Sequence, residues 1–280
     1  MKPAPFDYLR AGTAEEALDA LHQAGADARI LAGGQSLVPM LNMRLARPAL
    51  LIDIMRIDTL ARIDDRGNAL RIGAGVRQLA LERHPGLARR QPLLALMLPW
   101  LGHVQSRSRG TVCGSVAHAD PSAEMPLALV ALDGAIHLRN RRRARQVPAD
   151  QFFTGMMVTA RADDELVEAV TFPALRPGTG YAFREVSRRH GDFAIAAIAA
   201  VADHAGIRLA VGGVATQPTA RNMPLAGLDD ALETFAWDLE ARDDLHATAR
   251  YRRELVRRIG RSVAMEAVRD RDARQMREAA

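Results

Sequence analysis

The chain has 280 residues, 48% of them hydrophobic, which is enough to bury a sizeable core as two compact domains or as one elongated domain with a satellite. Its one cysteine, Cys113, excludes an intrachain disulfide, and a thiolate-built zinc or iron–sulfur site would need ligands from elsewhere. That cysteine usage predicts a reducing cytoplasm, and the lack of an apolar leader behind Met1 or of a run near the roughly 20 apolar residues of a membrane span predicts a soluble protein, whose net charge of +5 is modest.

In chain order, Thr13-Ala14-Glu15-Glu16 predicts a capped helix start, with Ala17, Leu18, Leu21 and Ala24 at helical spacing and Gly25 as the stop. Ala28–Ala32 predicts a short strand that runs into Gly33-Gly34-Gln35-Ser36, and Leu37, Met40, Leu41 and Leu45 then mark a short helix. Pro48–Ile54 reads as a second buried strand. Ala69–Ile72 reads as a third, reached through the turn Asp64–Asn68. Gly73-Ala74-Gly75 follows it, but Gln78 stands where the nucleotide fingerprint of a Rossmann unit needs its third glycine, so this is a turn. Pro92–Leu101 is apolar at helical spacing and leads into the polar, glycine-containing segment Ser106–Ser115.

From Leu127 to Pro173 the pattern becomes strand-like, at Ala135–Leu138, Val147–Ala149 and Glu165–Phe172. The basic run Arg139–Arg145 has no interleaved aromatic residue for base stacking, which makes it a solvated hairpin or subunit contact rather than a nucleic-acid site. Pro177-Gly178-Thr179-Gly180 is the clearest breaker cluster and predicts a domain boundary. Beyond it, Ala194–Ala202, Ile207–Val211 and Val214 predict a small sheet, and the chain from Leu225 onward reads as amphipathic helix.

Two segments carry chemistry. In Ala32-Gly33-Gly34-Gln35-Ser36, adjacent glycines between strand and helix let a diphosphate approach main-chain amides with no Cβ in the way, and Gln35 and Ser36 add side-chain donors. Arg109-Gly110-Thr111-Val112-Cys113-Gly114-Ser115 is a second small-residue turn, followed by Asp120 and Glu124, whose carboxylates suit ribose or ribitol hydroxyls. Two such turns suit a dinucleotide, while a plain turn at the first and a capped helix at the second remain open on these residues alone. His118, Asp120 and Glu124 do not make a metal site, because no second histidine stands at ligand spacing nearby. No Gly-x-Ser-x-Gly elbow supports hydrolysis.

These segments, AGGQS with the following SLVPMLNMRLARPALLIDI and RGTVCGSVAHADPSAEMP, resemble the FAD-binding medium subunit of the xanthine dehydrogenase and carbon monoxide dehydrogenase family. So do Phe183–Arg189, Gly191–Ala194 and Arg208–Val214, so the resemblance covers nearly the whole chain. It implies a mixed α/β, α+β fold: an FAD-binding domain over 1–176 like that of vanillyl-alcohol oxidase (PCMH type), made of two α/β subdomains (about 1–55 and 56–176). A smaller C-terminal α+β domain over 177–280 follows, with a short antiparallel sheet and helices. It places Ala32, Gly33, Gly34, Gln35 and Ser36, with Thr111, Val112, Cys113, Gly114 and Ser115, at the FAD diphosphate, and Glu124 on the sugar-alcohol chain. It also implies Arg184, Asp192 and Phe193 near the flavin ring and Leu166 packed beside it.

The implied partners are an iron–sulfur small subunit and a large subunit with a molybdenum cofactor, in a dimer of heterotrimers, with no nucleic acid and no membrane span. The implied role is electron transfer from the clusters through FAD to an external acceptor, with no catalytic residue on this chain. A stand-alone FAD oxidoreductase and a flavin-free structural adaptor remain as alternative readings. One departure from the family pattern is Cys113, which replaces the first glycine of the family's usual pair. If that position needs a positive backbone dihedral, cysteine costs of order 1 kcal/mol more than glycine.

Overall fold

Thr13 caps the first helix (Ala14–Ala24) as its sequence predicts: the Glu16 amide donates to its hydroxyl, and the Glu16 carboxylate accepts in return from the Gly12 amide. The structure, a computed structural model, describes residues 2–279. The helix buries Ala14, Ala17, Leu18 and Leu21 against a three-stranded parallel sheet of β1 (Asp7–Arg10), β2 (Ala28–Leu31) and β3 (Leu50–Asp53), with β3 in the centre.

A second sheet takes β4 (Ile63–Asp65), β5 (Ala69–Gly73), β6 (Ala135–Arg139) and β7 (Ala144–Pro148). After the small pair β8 (Phe153–Gly155) and β9 (Val158–Thr159), the chain returns as β10 (Leu166–Pro173) to the middle of that sheet. All its neighbours are antiparallel, in the order β4-β5-β10-β6-β7. The basic run forms the β6–β7 turn. Three of its arginines are engaged by carboxylates, Arg139 with Glu15 and Glu168, Arg141 with Asp19, and Arg145 with Glu165.

The third sheet is an antiparallel meander of β11 (Gly180–Val186), β12 (Ala196–Ala202), β13 (Ile207–Gly212) and β14 (Thr219–Met223). Every residue of β12 is buried, because it is covered on both faces. Ala197, Ala199 and Val201 join the core shared with the first two sheets, whereas Ala196, Ile198, Ala200 and Ala202 pack with the helices Leu228–Asp238 and Ala249–Ala279. Alanine at these positions leaves room for layers on both sides. The chain thus adopts the expected mixed fold, with helices and an antiparallel sheet at its C-terminal end. Two separate helices, rather than continuous helix, follow Leu225, with residues 239–248 irregular between them. Among the described residues, no helix is long and apolar enough to cross a membrane.

Candidate functional site

A cleft of about 800 Å³ is lined by β2 of the first sheet, β10 of the second and the segment that joins β11 to β12 of the third, within the usual range of roughly 300–1,000 Å³ for cofactor pockets. Its floor is built by close backbone approach. A Cβ on Gly33 would land on the Arg109 carbonyl and the Gly110 Cα, so the two glycine segments touch and only glycine fits. Gly34 takes φ of 72°, which turns the chain from β2 into the short helix Leu37–Asn42. The amides of Gly33, Gly34, Gln35 and Ser36 find no acceptor among the described residues. A row of unsatisfied amides beside a glycine contact fits an anionic group such as a diphosphate.

The second segment is less a turn than the start of the helix Val112–His118. Thr111 is its cap, its hydroxyl accepting from the Gly114 amide at 3.0 Å, and a Cβ on Gly114 would lie 2.7 Å from that hydroxyl. Cys113 sits inside this helix and is absent from the positive-φ positions, so it takes the glycine's place without left-handed strain. Its thiol is buried, donates to the Ile72 carbonyl and is pushed up to about 12 by desolvation. The native chain is therefore expected to leave Cys113 unmodified by an aromatic disulfide reagent and to react with one equivalent only on unfolding. Prompt release of the thiol chromophore without denaturant would contradict this burial.

The structure brings most of the expected residues to this one cleft: Ala32 to Ser36, Thr111, Cys113, Gly114, Ser115, Asp120, Glu124, Leu166, Asp192 and Phe193. Asp120 also closes its own turn by accepting from the Ser122 amide. Glu124, the first residue of the helix Glu124–Ala131, is 7% exposed, and burial pushes its carboxyl up to about 7 with the Asp120 carboxylate adding to the effect. Phe193, by contrast, is 74% exposed at the rim. It follows Gly191, whose φ of 87° and tight fit against the His103 ring hold this rim in place.

Two expected residues are not at the cleft. Val112 is wholly buried in the core, and its amide donates to the Val76 carbonyl. Arg184 lies on the other face of β11, where it pairs with Glu266 of the long C-terminal helix. Strand alternation explains the displacement: Tyr181, Phe183 and Glu185 share one face, and Ala182 and Arg184 the other. Tyr181 and Phe183 pack with the larger core, while Ala182 packs with the smaller one under that helix.

Other residues shape the cleft from outside the two glycine segments. Gln78 is 6% exposed and braces the second segment, its backbone amide donating to the Gly110 carbonyl and its side-chain amide to that of Thr111. A polar residue just behind a glycine turn was a usable signal for it. Arg161 lines the wall with its guanidinium turned back onto the carbonyls of Ala162, Asp163 and Glu165, and burial lowers its pKa. No sequence pattern marks it. No group of three or more metal-ligating side chains occurs among the described residues.

The family model described as the FAD binding domain in molybdopterin dehydrogenase matches residues 4–175. The chain is 35% identical to the nicotine 6-hydroxylase medium subunit of Paenarthrobacter nicotinovorans, over 95% of this chain and 99% of that one. It is 42% identical over 201 residues to the 6-hydroxypseudooxynicotine dehydrogenase complex subunit alpha of the same organism, covering 72% of this chain and 68% of that protein. Among solved structures, a chain of the reconstituted CO dehydrogenase from Oligotropha carboxidovorans superposes with a TM-score of 0.92 at 30% identity, covering 96% of this chain and all of that one.

Proposed function

The chain belongs to the family of FAD-binding domains of molybdopterin dehydrogenases and is an oxidoreductase subunit, and from that premise we propose that it is the flavoprotein electron carrier of a heteromeric molybdenum hydroxylase. It takes electrons from iron–sulfur clusters on a small subunit and passes them to an external acceptor, while a large subunit with the molybdenum cofactor oxidises the substrate. The assembly is a cytoplasmic dimer of heterotrimers. FAD, once bound, supplies the exchange between one-electron and two-electron transfer.

The observation that carries this reading is the contact of Gly33 with Arg109 and Gly110, which joins the two glycine segments on one wall of one cleft. There the amides of Gly33 to Ser36 hold the diphosphate, Thr111, Cys113, Gly114 and Ser115 close it from the other side, and Asp120 and Glu124 meet sugar or ribitol hydroxyls. Leu166, Asp192 and Phe193 enclose the flavin ring. Arg184 is left out of this set because its guanidinium is held by Glu266. The cofactor domain takes residues 1–176, in subdomains of about 1–55 and 56–176, and residues 177–280 form the cap domain that closes the rim. A match running the length of a medium subunit favours the complex over a stand-alone oxidase.

The purified chain is expected to be yellow, with flavin absorbance close to one FAD per chain, or to become so on incubation with FAD. A colourless chain that stays colourless under saturating FAD would defeat the assignment. Partners that co-purify with the tagged chain, scored for iron, acid-labile sulfide and molybdenum, test the assembly separately.

A further inference from the structure

Glu185 is an acid that the cofactor assignment leaves unused. It lies on β11, 6% exposed, and neither carboxylate oxygen has a hydrogen-bond partner. Around it the chain offers little charge. Its cross-strand neighbour on β12 is Ala197, and the helix Pro92–Met97, packed on β11, carries no ionisable side chain. The charged group that acts on it is Glu124, which lines the cleft. Glu124 in turn feels the Asp120 carboxylate and, in the opposite sense, the Arg107 guanidinium, itself bound by Glu82. An ionised carboxylate buried without donors is strongly disfavoured, so such a group keeps its proton.

We propose that Glu185 is a positioning residue of the cofactor site, a neutral acid behind Glu124, and that through this acid pair the chain takes up protons when it binds FAD. This rests on the placement of FAD in the cleft. Burial pushes Glu185 up to about 8, with the Glu124 charge adding to it, and Glu124 up to about 7, so the two lose their protons in succession near neutrality. Each ionisation adds negative charge beside a site that must hold a diphosphate dianion. The sign follows: bound FAD raises both pKa values further, so the complex holds more protons than the free chain. Affinity is full at low pH and falls as pH rises, first through about 7 and then through about 8.

The test is FAD titration of the full-length chain, followed by flavin fluorescence from about pH 6 to about pH 9, with calorimetry in two buffers of different ionisation heat to count protons. The expected result is an affinity loss on the order of tenfold across this range, in two steps, with net proton uptake on binding. Glu185→Gln, isosteric with the neutral acid, is expected to bind FAD as tightly as the parent at the low end and to lose the upper step only. Glu124→Gln is expected to lose the lower step and to shift the remaining one down, because the charge that acts on Glu185 is gone. His118 and His246 also line the cleft and are present in the parent and in Glu185→Gln alike, so the difference between those two profiles isolates Glu185. A pH-independent affinity, or superimposable profiles for the parent and Glu185→Gln, overturns the proposal while leaving the cofactor placement intact. Failure to bind FAD at every pH overturns the placement and the linkage together. An infrared carboxylic-acid band at neutral pH that disappears in Glu185→Gln reports the buried acid independently of FAD, and its absence overturns the proposal.

Discussion

Gly33→Val is expected to give a folded but colourless chain. The added Cβ would meet the Arg109 carbonyl and the Gly110 Cα, both backbone, so relief requires the two segments to move apart rather than a side chain to swing away. Overpacking of this kind costs about 1–3 kcal/mol, which at 1.4 kcal/mol per factor of ten predicts a loss in FAD affinity of about fivefold to a hundredfold. Gly12→Ala is the control. Its Cβ would have only the Glu16 carboxylate at 3.6 Å for company, and its flavin content should match the parent. Circular dichroism and a thermal melt separate loss of cofactor from loss of fold. Normal flavin occupancy in Gly33→Val, with the fold intact, would remove the two-segment contact from the cofactor site.

Arg252→Ala is expected to cost the most stability. Arg252 is 3% exposed at the start of the long C-terminal helix, and its guanidinium donates to the Ile195 and Gly213 carbonyls and pairs with Asp244. Truncation strands two carbonyls and frees Asp244, which is itself half-exposed and so is partly recovered by water. The expected loss is about 3 kcal/mol, read as a lower midpoint in urea with an unchanged slope. Arg252→Lys should recover part of it through one ammonium donor. Because Ile195 lines the cleft and the Gly213 amide donates to the Pro121 carbonyl, FAD affinity should fall in parallel. A midpoint within error of the parent would mean that the guanidinium is not the tie that its contacts indicate.

Several elements were legible in the residues for physical reasons that survive in the structure. The Thr13 cap, the apolar strands at 28–31, 50–53 and 69–73, and the alanine-rich strand at 196–202 all carry patterns set by burial. The strands that escaped are those where burial writes little. Asp7–Arg10 is an exposed edge, and Thr219–Met223 is polar along most of its length. Gly180–Val186 carries no strand pattern for the opposite reason: it is buried but holds the charged pair Arg184 and Glu185, of which alternation sends one to a helix and the other to the interior. The cleft was readable at its glycines, whose small size has a local cause. Arg161 was not, since the carbonyls that hold its guanidinium belong to its own loop and no residue pattern foretells that fold-back.

The wall of the cleft draws on residues from Leu21 to His246, and the arginine tie that steadies its far rim comes later still, at Arg252. No early stretch emerging from a ribosome can close such a wall, because its last pieces have yet to be synthesised. Loading of the cofactor is thus a late event in the life of the polypeptide, and a nascent chain arrested before its final helix carries both glycine segments yet lacks the finished receptacle.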